Sequence, residues 1–186
     1  EVKELRGNLE SVKREAMTDV LTDIGNRKYF DIKLRELADK AMTEGEPVSL
    51  LLFDVDNFKD FNDSHGHQLG DQVLRLVART LKESVKGRDV VARYGGEEFA
   101  VVLSGAGLED AMKVGDGIRA LVAKRRIIRK STGEQIAAIT ISAGVARYRS
   151  GEPLSELIAR SDAALYRAKD AGRNRVQAEM MPGRAA

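Results

Sequence analysis

The stretch Arg-Tyr-Gly-Gly-Glu-Glu-Phe (residues 93–99) places two glycines and two adjacent carboxylates between two apolar runs that are typical of buried strands. A glycine pair can form a tight hairpin turn for structural reasons alone. Adjacent glutamates repel one another, however, unless a cation or solvent separates them. Glycine also removes the side chains at points where a flat or bulky ligand must touch the backbone. The stretch therefore indicates a hairpin that approaches a ligand.

A second acidic point, Asp54-Val55-Asp56, follows the continuous apolar run 48–53, which is typical of a strand covered on both faces. An aspartate there can simply cap the next turn, so that alternative stays open. If the hairpin strands flank this strand, Asp54 and Glu97 come together. Carboxylates without His or Cys are typical Mg²⁺ or Mn²⁺ ligands, and Mg²⁺ completes its shell with waters and substrate phosphates. The two acidic points together predict a metal-assisted nucleotide site.

The composition narrows the class of protein. The chain has 186 residues, of which 42% are hydrophobic and 32% charged, and its formal net charge is +2. So small a charge argues against a general nucleic-acid binder, and the absence of cysteine excludes disulfides and thiolate zinc sites. No apolar run approaches the roughly 18–20 residues that span a bilayer. We therefore expect a soluble, cytoplasmic fragment without membrane contact. Because it starts with Glu1 rather than Met, we expect a piece of a longer protein, which leaves a membrane anchor elsewhere open.

Residues 1–18 differ from the rest of the chain. They carry an a/d heptad seam of five apolar residues spaced 3, 4, 3 and 4 apart, namely Val2, Leu5, Leu9, Val12 and Ala16. The seam lasts only about two heptads, and Gly7 weakens it. Two interpretations remain open: a helix packed on its own domain, or a dimeric stalk that continues upstream.

Hydrophobic periodicity predicts the remaining elements. Helices are expected near 27–43, 69–85, 108–124 and 154–170, and a polar loop precedes the second of them. Strands are expected at 48–53, in the hairpin at 90–103, and as a pair in 127–148 around the turn 131–134. The core order is strand, helix, strand, strand, helix, strand, with right-handed crossovers. We expect helices over one face of a mixed antiparallel sheet, and a disordered tail over residues 178–186.

These motifs together resemble the GGDEF-domain diguanylate cyclases, in the Gly-Gly-Glu-Glu-Phe variant. The likeness covers about residues 16–176. Besides residues 93–99 it includes Asp-Val-Leu-Thr at 19–22 with Asn-Arg at 26–27, Phe-Asp-Val-Asp-Asn-Phe-Lys at 53–59, Phe-Asn-Asp at 61–63 with Gly-His at 66–67, Gly-Asp at 70–71, and the matching positions in 163–174. The motifs occur in the family's order and at similar spacing, so the probability of a chance agreement is very small.

The resemblance implies an α+β fold related to the ferredoxin-like palm core of nucleotide cyclases, with a central mixed antiparallel sheet flanked by helices. It also implies a nucleotidyltransferase that condenses two GTP into cyclic di-GMP and two pyrophosphates across a homodimer. The expected organisation is a stalk helix at 1–18, a catalytic domain at 19–177 and the tail at 178–186. An upstream sensory domain is expected in the longer protein.

The resemblance assigns the metal site to three residues. Mg²⁺ (or Mn²⁺) would be bound by Asp54 and Glu97, with the carbonyl of Val55 as a further oxygen ligand. Glu98 is the candidate for metal or proton work, and Gly95 and Gly96 would make room for the nucleotide.

The remaining assigned residues would bind GTP. Asn62 and Asp71 would read guanine, because a carboxylate can accept from N1–H and the 2-amino group, and adenine lacks both donors. The triphosphate would be bound by the backbone amides at 57–59 and by three cationic side chains. The full set of phosphate residues is Asn57, Phe58, Lys59, Lys169 and Arg173.

Several of these residues also have structural interpretations. Lys169 and Arg173 resemble ordinary cations at a helix end, on one helical face, and Asn62 and Asp71 resemble turn and cap residues. The complete set of motifs favours the functional roles. Structural roles are expected elsewhere: a structural hydrogen bond for Asp56, loop positions for His65 and His67, and a solvated helix end for Lys124, Arg125, Arg126, Arg129 and Lys130.

One segment departs from the family. Many such cyclases carry Arg-x-x-Asp upstream of the hairpin, where product binds and inhibits, but here the segment reads Lys86-Gly87-Arg88-Asp89. Lysine keeps the charge and loses the planar fork of arginine. We therefore expect weakened product inhibition, with Lys86 and Asp89 as the inhibitory-site candidates.

Two alternative functions remain. The chain could be a catalytically silent module that senses GTP or cyclic di-GMP, or a structural dimerisation unit driven by residues 1–18. Silent members usually lose an acid or a glycine of the hairpin, and this chain has lost neither.

Overall fold

The computed structural model describes residues 2–136 and 138–181, apart from the side chain of Lys13. Within these residues the helices are α1 (Val2–Met17), α2 (Arg27–Glu44), α3 (Phe58–His65), α4 (His67–Ser84), α5 (Leu108–Lys124) and α6 (Leu154–Asp170). The strands are β1 (Val48–Val55), β2 (Val90–Arg93), β3 (Glu98–Ser104), β4 (Ile127–Ile128), β5 (Gln135–Ile136), β6 (Ile141–Arg147) and β7 (Val176–Ala178).

The central sheet has five strands in the order β2-β3-β1-β6-β7. β1 is antiparallel to both neighbours, β3 and β6, and β7 lies parallel to β6 at the edge. The order of β2, β3, β1 and β6, with helical crossovers after β1 and β3, is the ferredoxin-like arrangement, so the predicted α+β fold is confirmed. The register places Asp54 opposite Glu98 of β3 and opposite Ser142 of β6.

Helices cover both faces of the sheet, so the expectation of one covered face was wrong. Helices α3, α4 and α5 pack with Leu51 and Phe53 on one side. Helices α2 and α6 pack with Leu50 and Leu52 on the other. Both sets are buried because successive side chains of a strand point to opposite faces, and this explains why all eight residues of β1 are buried.

Two segments fold differently from what the hydrophobic pattern predicts. The polar segment expected as a loop forms α3, which buries Phe61 and ends at Gly66, where φ is +88°. The region 127–148 forms three strands in its described residues rather than the two expected. Its first part forms the separate pair β4–β5, and only β6 joins the main sheet. A short amphipathic helix with one buried aromatic gives too weak a periodic signal to be recognised in the sequence.

The first helix stands away from its own domain. Its seam residues Val2, Leu5, Leu9 and Val12 are 69%, 65%, 56% and 61% exposed. The interpretation of a helix packed on its own domain is therefore wrong. Asn26 joins α1 to α2, because its side chain donates to the Ala16 carbonyl at 2.9 Å and accepts from the Tyr29 N–H in the first turn of α2.

Over the described residues, none of the helices has the length and apolar content that crossing a membrane requires.

The end of the chain also differs from the expected disordered tail. Ala178 belongs to β7, and Glu179 is only 8% exposed and accepts hydrogen bonds from three arginines. The prediction was wrong for these residues because their ordering depends on partners far away in sequence. Residues 182–186 of the expected tail lie outside the described residues.

Candidate active site

The acidic end of β1, the hairpin turn and the first turn of α3 enclose a pocket of about 160 Å³. It is lined by Asp54, Val55, Asp56, Asn57, Phe58, Lys59, Asp60, Glu97, Lys169 and Arg173. The pairing of β1 with β3 brings the carbonyl of Glu97 to the N–H of Val55 at 3.1 Å. The strand pairing thus joins the two acidic points, as the sequence predicted on the condition that the hairpin flanks β1.

Asp54 is the most perturbed acid of the pocket. Its side chain is 8% exposed, and its Oδ2 lies 2.8 Å from Nζ of Lys169. The pKa of Asp54 is raised to about 6, mainly by burial and also by the charges of Glu97 and Glu98, although Lys169 opposes the shift. The pocket therefore holds more negative charge than Lys169 alone neutralises, and it favours an additional cation.

The donors suit a hard divalent cation that shares its ligands with a substrate. Carboxylates of Asp54 and Glu97 line the pocket together with the backbone of Val55, and none of the lining residues is His or Cys. Among the described residues, no group of three or more His, Cys, Asp or Glu side chains forms a complete cage. Mg²⁺ commonly uses one or two carboxylates and takes its other ligands from waters and phosphates, so the residues fit this ion.

The two glutamates of the hairpin occupy different places. Glu97 lines the pocket, whereas the carboxylate of Glu98 lies over Gly95. A Cβ at Gly95 would come within 2.3 Å of Oε2 of Glu98. Neither Gly95 nor Gly96 has a positive φ, so turn strain does not explain them. Gly95 makes room for Glu98, whereas a Cβ at Gly96 would meet nothing within 4 Å in the described structure.

The phosphate residues assigned from the sequence all line the pocket. Asn57 adopts a left-handed conformation (φ 52°, ψ 35°) and precedes α3. Backbone N–H groups of a first helical turn lack intrahelical partners and attract anions. Phe58 and Lys59 supply such groups beside Lys169. The arrangement can bind a phosphate next to the acids.

Arg173 reaches this pocket by a route that the sequence analysis missed. Helix α6 ends at Asp170, and Arg173 lies beyond it with φ at +62°. The prediction that Lys169 and Arg173 share one helical face was therefore wrong. Both residues still line the same pocket, because the chain turns back toward β1 after the helix.

Asp56 is a structural residue, as expected. Its carboxylate accepts from Thr140 Oγ1 and Ser142 Oγ, both at 2.7 Å, and from the N–H of Asn174 at 2.9 Å. These bonds join β1 to β6 and to the segment after α6. Asp56 therefore holds the walls of the pocket together while Asp54 faces its interior.

Asn62 and Asp71 lie outside this pocket, on α3 and α4. The Oδ1 atom of Asn62 is buried and has no hydrogen-bond partner among the described residues. It packs against Gly70, where a Cβ would come within 1.9 Å of it. Asp71, the next residue of α4, is half-buried. An unpaired buried acceptor beside a carboxylate is the arrangement that a ligand with hydrogen-bond donors would complete.

A pair that the sequence analysis did not single out holds the hairpin turn. Arg93 donates Nε and Nη2 to the carbonyl of Gly96, at 3.1 and 2.7 Å, and Nη1 to both carboxylate oxygens of Asp19. Although burial works the other way, hydrogen bonds from Thr22 and the charge of Arg93 hold the pKa of Asp19 below its usual value. Arg93 therefore connects the turn after α1 with the turn that carries Glu97. The only sequence signal was that both residues belong to motifs of the resemblance.

The inhibitory-site candidates lie elsewhere, beside a larger cavity of about 880 Å³ between α1, α2 and the end of α4. Lys86 and Asp89 both line it. Asp89 is already engaged, because its Oδ2 accepts from the N–H of Lys86 and its Oδ1 from the N–H of Ser104. The carboxylate therefore fixes its own loop to β3.

The other polar residues considered in the sequence lie away from the pocket. His65 packs against Phe61, with ring centroids 4.7 Å apart and ring planes tilted by 48°. In the basic cluster, Arg125 pairs with Glu83 at 2.8 Å and Arg129 approaches Glu134 at 3.8 Å. The expected loop positions were wrong, because His65 ends α3 and His67 begins α4. Arg129 lies after β4 rather than at the end of α5, and its Nε is buried without a hydrogen-bond partner among the described residues.

Comparison with known proteins gives consistent matches. The family model described as "Diguanylate cyclase, GGDEF domain" matches residues 16–175. Among curated proteins, the response regulator PleD of Caulobacter vibrioides is 40% identical over 173 residues, covering 92% of this chain and 38% of the relative. Diguanylate cyclase DosC of Escherichia coli K12 is 41% identical over 175 residues, covering 93% of this chain and 37% of the relative. The chain thus spans little more than a third of the length of these relatives.

Solved structures agree with the sequence matches. The coiled coil and GGDEF domain of DgcB from Caulobacter crescentus, solved in complex with c-di-GMP, has a TM-score of 0.91 at 42% identity and covers 95% of this chain and 93% of that chain. The active GGEEF domain of a diguanylate cyclase from Vibrio cholerae has a TM-score of 0.77 at 32% identity, covering 84% of this chain and 97% of that chain. The chain belongs to the diguanylate cyclase GGDEF-domain family.

Proposed function

We propose that this chain is the catalytic part of a diguanylate cyclase, which condenses two GTP into cyclic di-GMP and two pyrophosphates. The observation that carries the proposal is the convergence of Asp54 and Glu97 at one pocket, beside the phosphate-binding end formed by α3 and Lys169. A substrate of this kind places the domain in the cytoplasm.

Each residue has a definite task in this reaction. Lys59, Lys169 and Arg173 bind and orient the triphosphate, and the first-turn amides of α3 hold its oxygens. Asp54, Glu97 and the carbonyl of Val55 would hold Mg²⁺. When bound, Mg²⁺ polarises the α-phosphate and stabilises charge on the leaving pyrophosphate. Glu98 pairs with Asp54 in the strand register, although its carboxylate lies over Gly95, and it is the candidate for metal or proton work at the 3′-hydroxyl.

The region around Asn62 selects guanine over adenine. The buried Oδ1 of Asn62, unpaired within the described residues, supplies an acceptor, and the carboxylate of Asp71 supplies another. Guanine offers N1–H and the 2-amino group, whereas adenine offers neither at those positions. Adenine would leave the buried acceptor without a partner, and such sites discriminate strongly.

The exposed seam of α1 supports a homodimeric stalk. Its apolar residues Val2, Leu5, Leu9 and Val12 have at least half of their surface in water, and burial of such a seam against a second copy is favourable. One subunit holds one GTP, so two subunits facing each other complete the reaction. A sensory domain upstream would act by changing the relative orientation of the two halves.

The test is an assay with GTP and Mg²⁺ that measures pyrophosphate and cyclic di-GMP. Turnover is expected in the wild type and not in Glu97→Ala, and the rate should rise more than linearly with protein at low concentration. GTP binding without turnover at high protein concentration would instead favour a silent sensing module. A stalk dimer without nucleotide binding would favour a structural dimerisation unit.

A first prediction concerns Gly70. In Gly70→Ala the new methyl group displaces the flexible amide of Asn62 rather than any backbone atom, and alanine suits a helix better than glycine. We expect GTP affinity to fall about tenfold or more with little change in thermal stability. Calorimetric titration with GTP and a melting curve measure the two effects.

The matched control is Gly117→Ala, inside α5, where a Cβ would meet nothing within 4 Å in the described structure. This variant should keep wild-type GTP affinity and gain slightly in stability. Unchanged affinity in Gly70→Ala would contradict the role given to Asn62.

A second prediction concerns product inhibition. Because Lys86 lacks the planar fork of arginine and Asp89 is engaged by two backbone N–H groups, we expect cyclic di-GMP to bind only weakly beside them. Calorimetry of cyclic di-GMP with the wild type and with Asp89→Ala is the measurement. Micromolar binding that disappears in Asp89→Ala would contradict the expectation.

A further inference from the structure

A buried ionic cluster holds the last described segment of the chain to the sheet. Glu179, whose side chain is 4% exposed, accepts from Nε of Arg160 at 2.5 Å and from Nη2 of Arg149 at 2.9 Å. It also accepts from the N–H of Arg147 at 2.9 Å. Nη1 and Nη2 of Arg160 donate to Glu152, and Nη2 also donates to the Arg147 carbonyl. Hydrogen bonds to Glu152 and Glu179 raise the pKa of Arg160 above its already high value.

This cluster lies at the opposite end of β6 from the pocket. Asp54 pairs in register with Ser142 near the start of β6, whereas the N–H of Glu179 donates to the carbonyl of Val145 at 2.7 Å. Between the two ends runs β7, a strand of only three residues. So short an edge strand has few ladder hydrogen bonds of its own. The side chain of Glu179 fixes its far end together with the Glu179 N–H and with Arg167, which donates to the Ala178 carbonyl at 2.7 Å.

The near end of the same segment enters the pocket. The N–H of Asn174 donates to Asp56, and the side chain of Asn174 accepts from Arg119 at 3.0 Å. Arg173, which lines the pocket, is exposed and lies between these anchors and the end of α6. A residue on an exposed loop keeps its direction only when the loop is fixed on both sides. α6 fixes one side, and the bonds of Asn174, followed by β7 and Glu179, fix the other.

We propose that Glu179 is a positioning residue for the phosphate-binding end of the site, acting through β7 on Arg173. The proposal rests on the proposed function, since it requires a triphosphate for Arg173 to bind. Glu179 touches neither substrate nor metal in this role. It affects the binding affinity for GTP in the ground state and leaves the positions of Asp54 and Glu97 unchanged.

The experiment compares Glu179→Gln with Glu152→Gln in the full chain. Both variants remove one carboxylate from Arg160, but Glu152 belongs to the loop before α6 and holds no part of the segment after it. We expect Glu179→Gln to raise the KM for GTP about fivefold to tenfold with kcat within about twofold. Glu152→Gln should leave both constants unchanged. Amide hydrogen exchange over residues 171–178 should accelerate only in Glu179→Gln.

Melting curves show whether the two variants lose similar stability, and Glu179→Ala provides a stronger perturbation of the same kind. Equal KM values for the two glutamine variants would overturn the proposal. If the wild type binds GTP without turnover, only the proposed cyclase activity is overturned. The role of Glu179 would then be tested by the GTP affinities of the variants, measured by calorimetry. A wild type that binds no GTP would overturn both.

Discussion

Replacing Asp54 by Asn is expected to abolish cyclic di-GMP synthesis and, at the same time, to stabilise the nucleotide-free fold. The activity should fall by about a thousandfold, because the carboxylate that we propose as a Mg²⁺ ligand is lost. The free energy of unfolding should rise because the carboxylate of Asp54 is buried. Its pKa of about 6 means that the charged form is less stable in the folded protein than in water. Asn keeps the shape and can still accept from Lys169.

The pH dependence follows from the direction of this shift. The pKa of Asp54 is raised from 3.8 to about 6 on folding, so the folded state binds more protons within that window. The contribution of Asp54 to wild-type stability therefore decreases as pH rises from about 4 to 6, and the cost is complete above about pH 7. The shift corresponds to about 3 kcal/mol at neutral pH as an order of magnitude. Urea unfolding of wild type and Asp54→Asn between pH 4 and 8, without Mg²⁺, should show the difference increase with pH.

Asp56→Asn is the matched control, two residues along the same strand. Asp56 accepts three hydrogen bonds as a carboxylate, so this variant should lose stability. Mg²⁺ with GTP should stabilise the wild type and leave Asp54→Asn unaffected. An Asp54→Asn protein less stable than wild type at pH 7.5, or one that retains appreciable turnover, would contradict this account of the pocket.

Arg93→Lys is expected to lower turnover about a hundredfold at saturating GTP, although Arg93 does not line the pocket. The guanidinium binds the Gly96 carbonyl through two nitrogens and Asp19 through a third. Lysine can reach only one of these partners at a time. The turn that carries Glu97 then loses its fixed position, and small displacements of a metal ligand are costly. A higher Mg²⁺ requirement should accompany the loss.

Arg75→Lys is a suitable control, since Arg75 donates to the Leu21 carbonyl in the same junction and does not contact the hairpin. Its turnover should stay near the wild-type value. Initial rates over a range of Mg²⁺ concentrations measure both effects, and a cycle with Asp19→Asn tests whether the two residues act together. Wild-type turnover of Arg93→Lys at ordinary Mg²⁺ would show that the hairpin keeps its position without this link.

The sequence by itself predicted the fold class and the two acids that meet at the pocket. The apolar run before Asp54 and the two runs around Gly95 and Gly96 predicted three strands that belong together, and their pairing brought Asp54 to Glu97. These features depend on local periodicity and on chain order, which a sequence displays directly. The structural role of Asp56 could be foreseen for the same reason.

Only the tertiary structure decided which residues support those acids. Gly95 makes room for the Glu98 carboxylate, Arg93 binds Asp19 across 74 positions of the chain, and Glu179 fixes β7 through Arg160. Arg173 reaches the pocket after its helix has ended, and α3 forms where a loop was expected. Such contacts join residues that have no pattern in common, and they exist only because the folded sheet and its helices bring distant segments within hydrogen-bond distance.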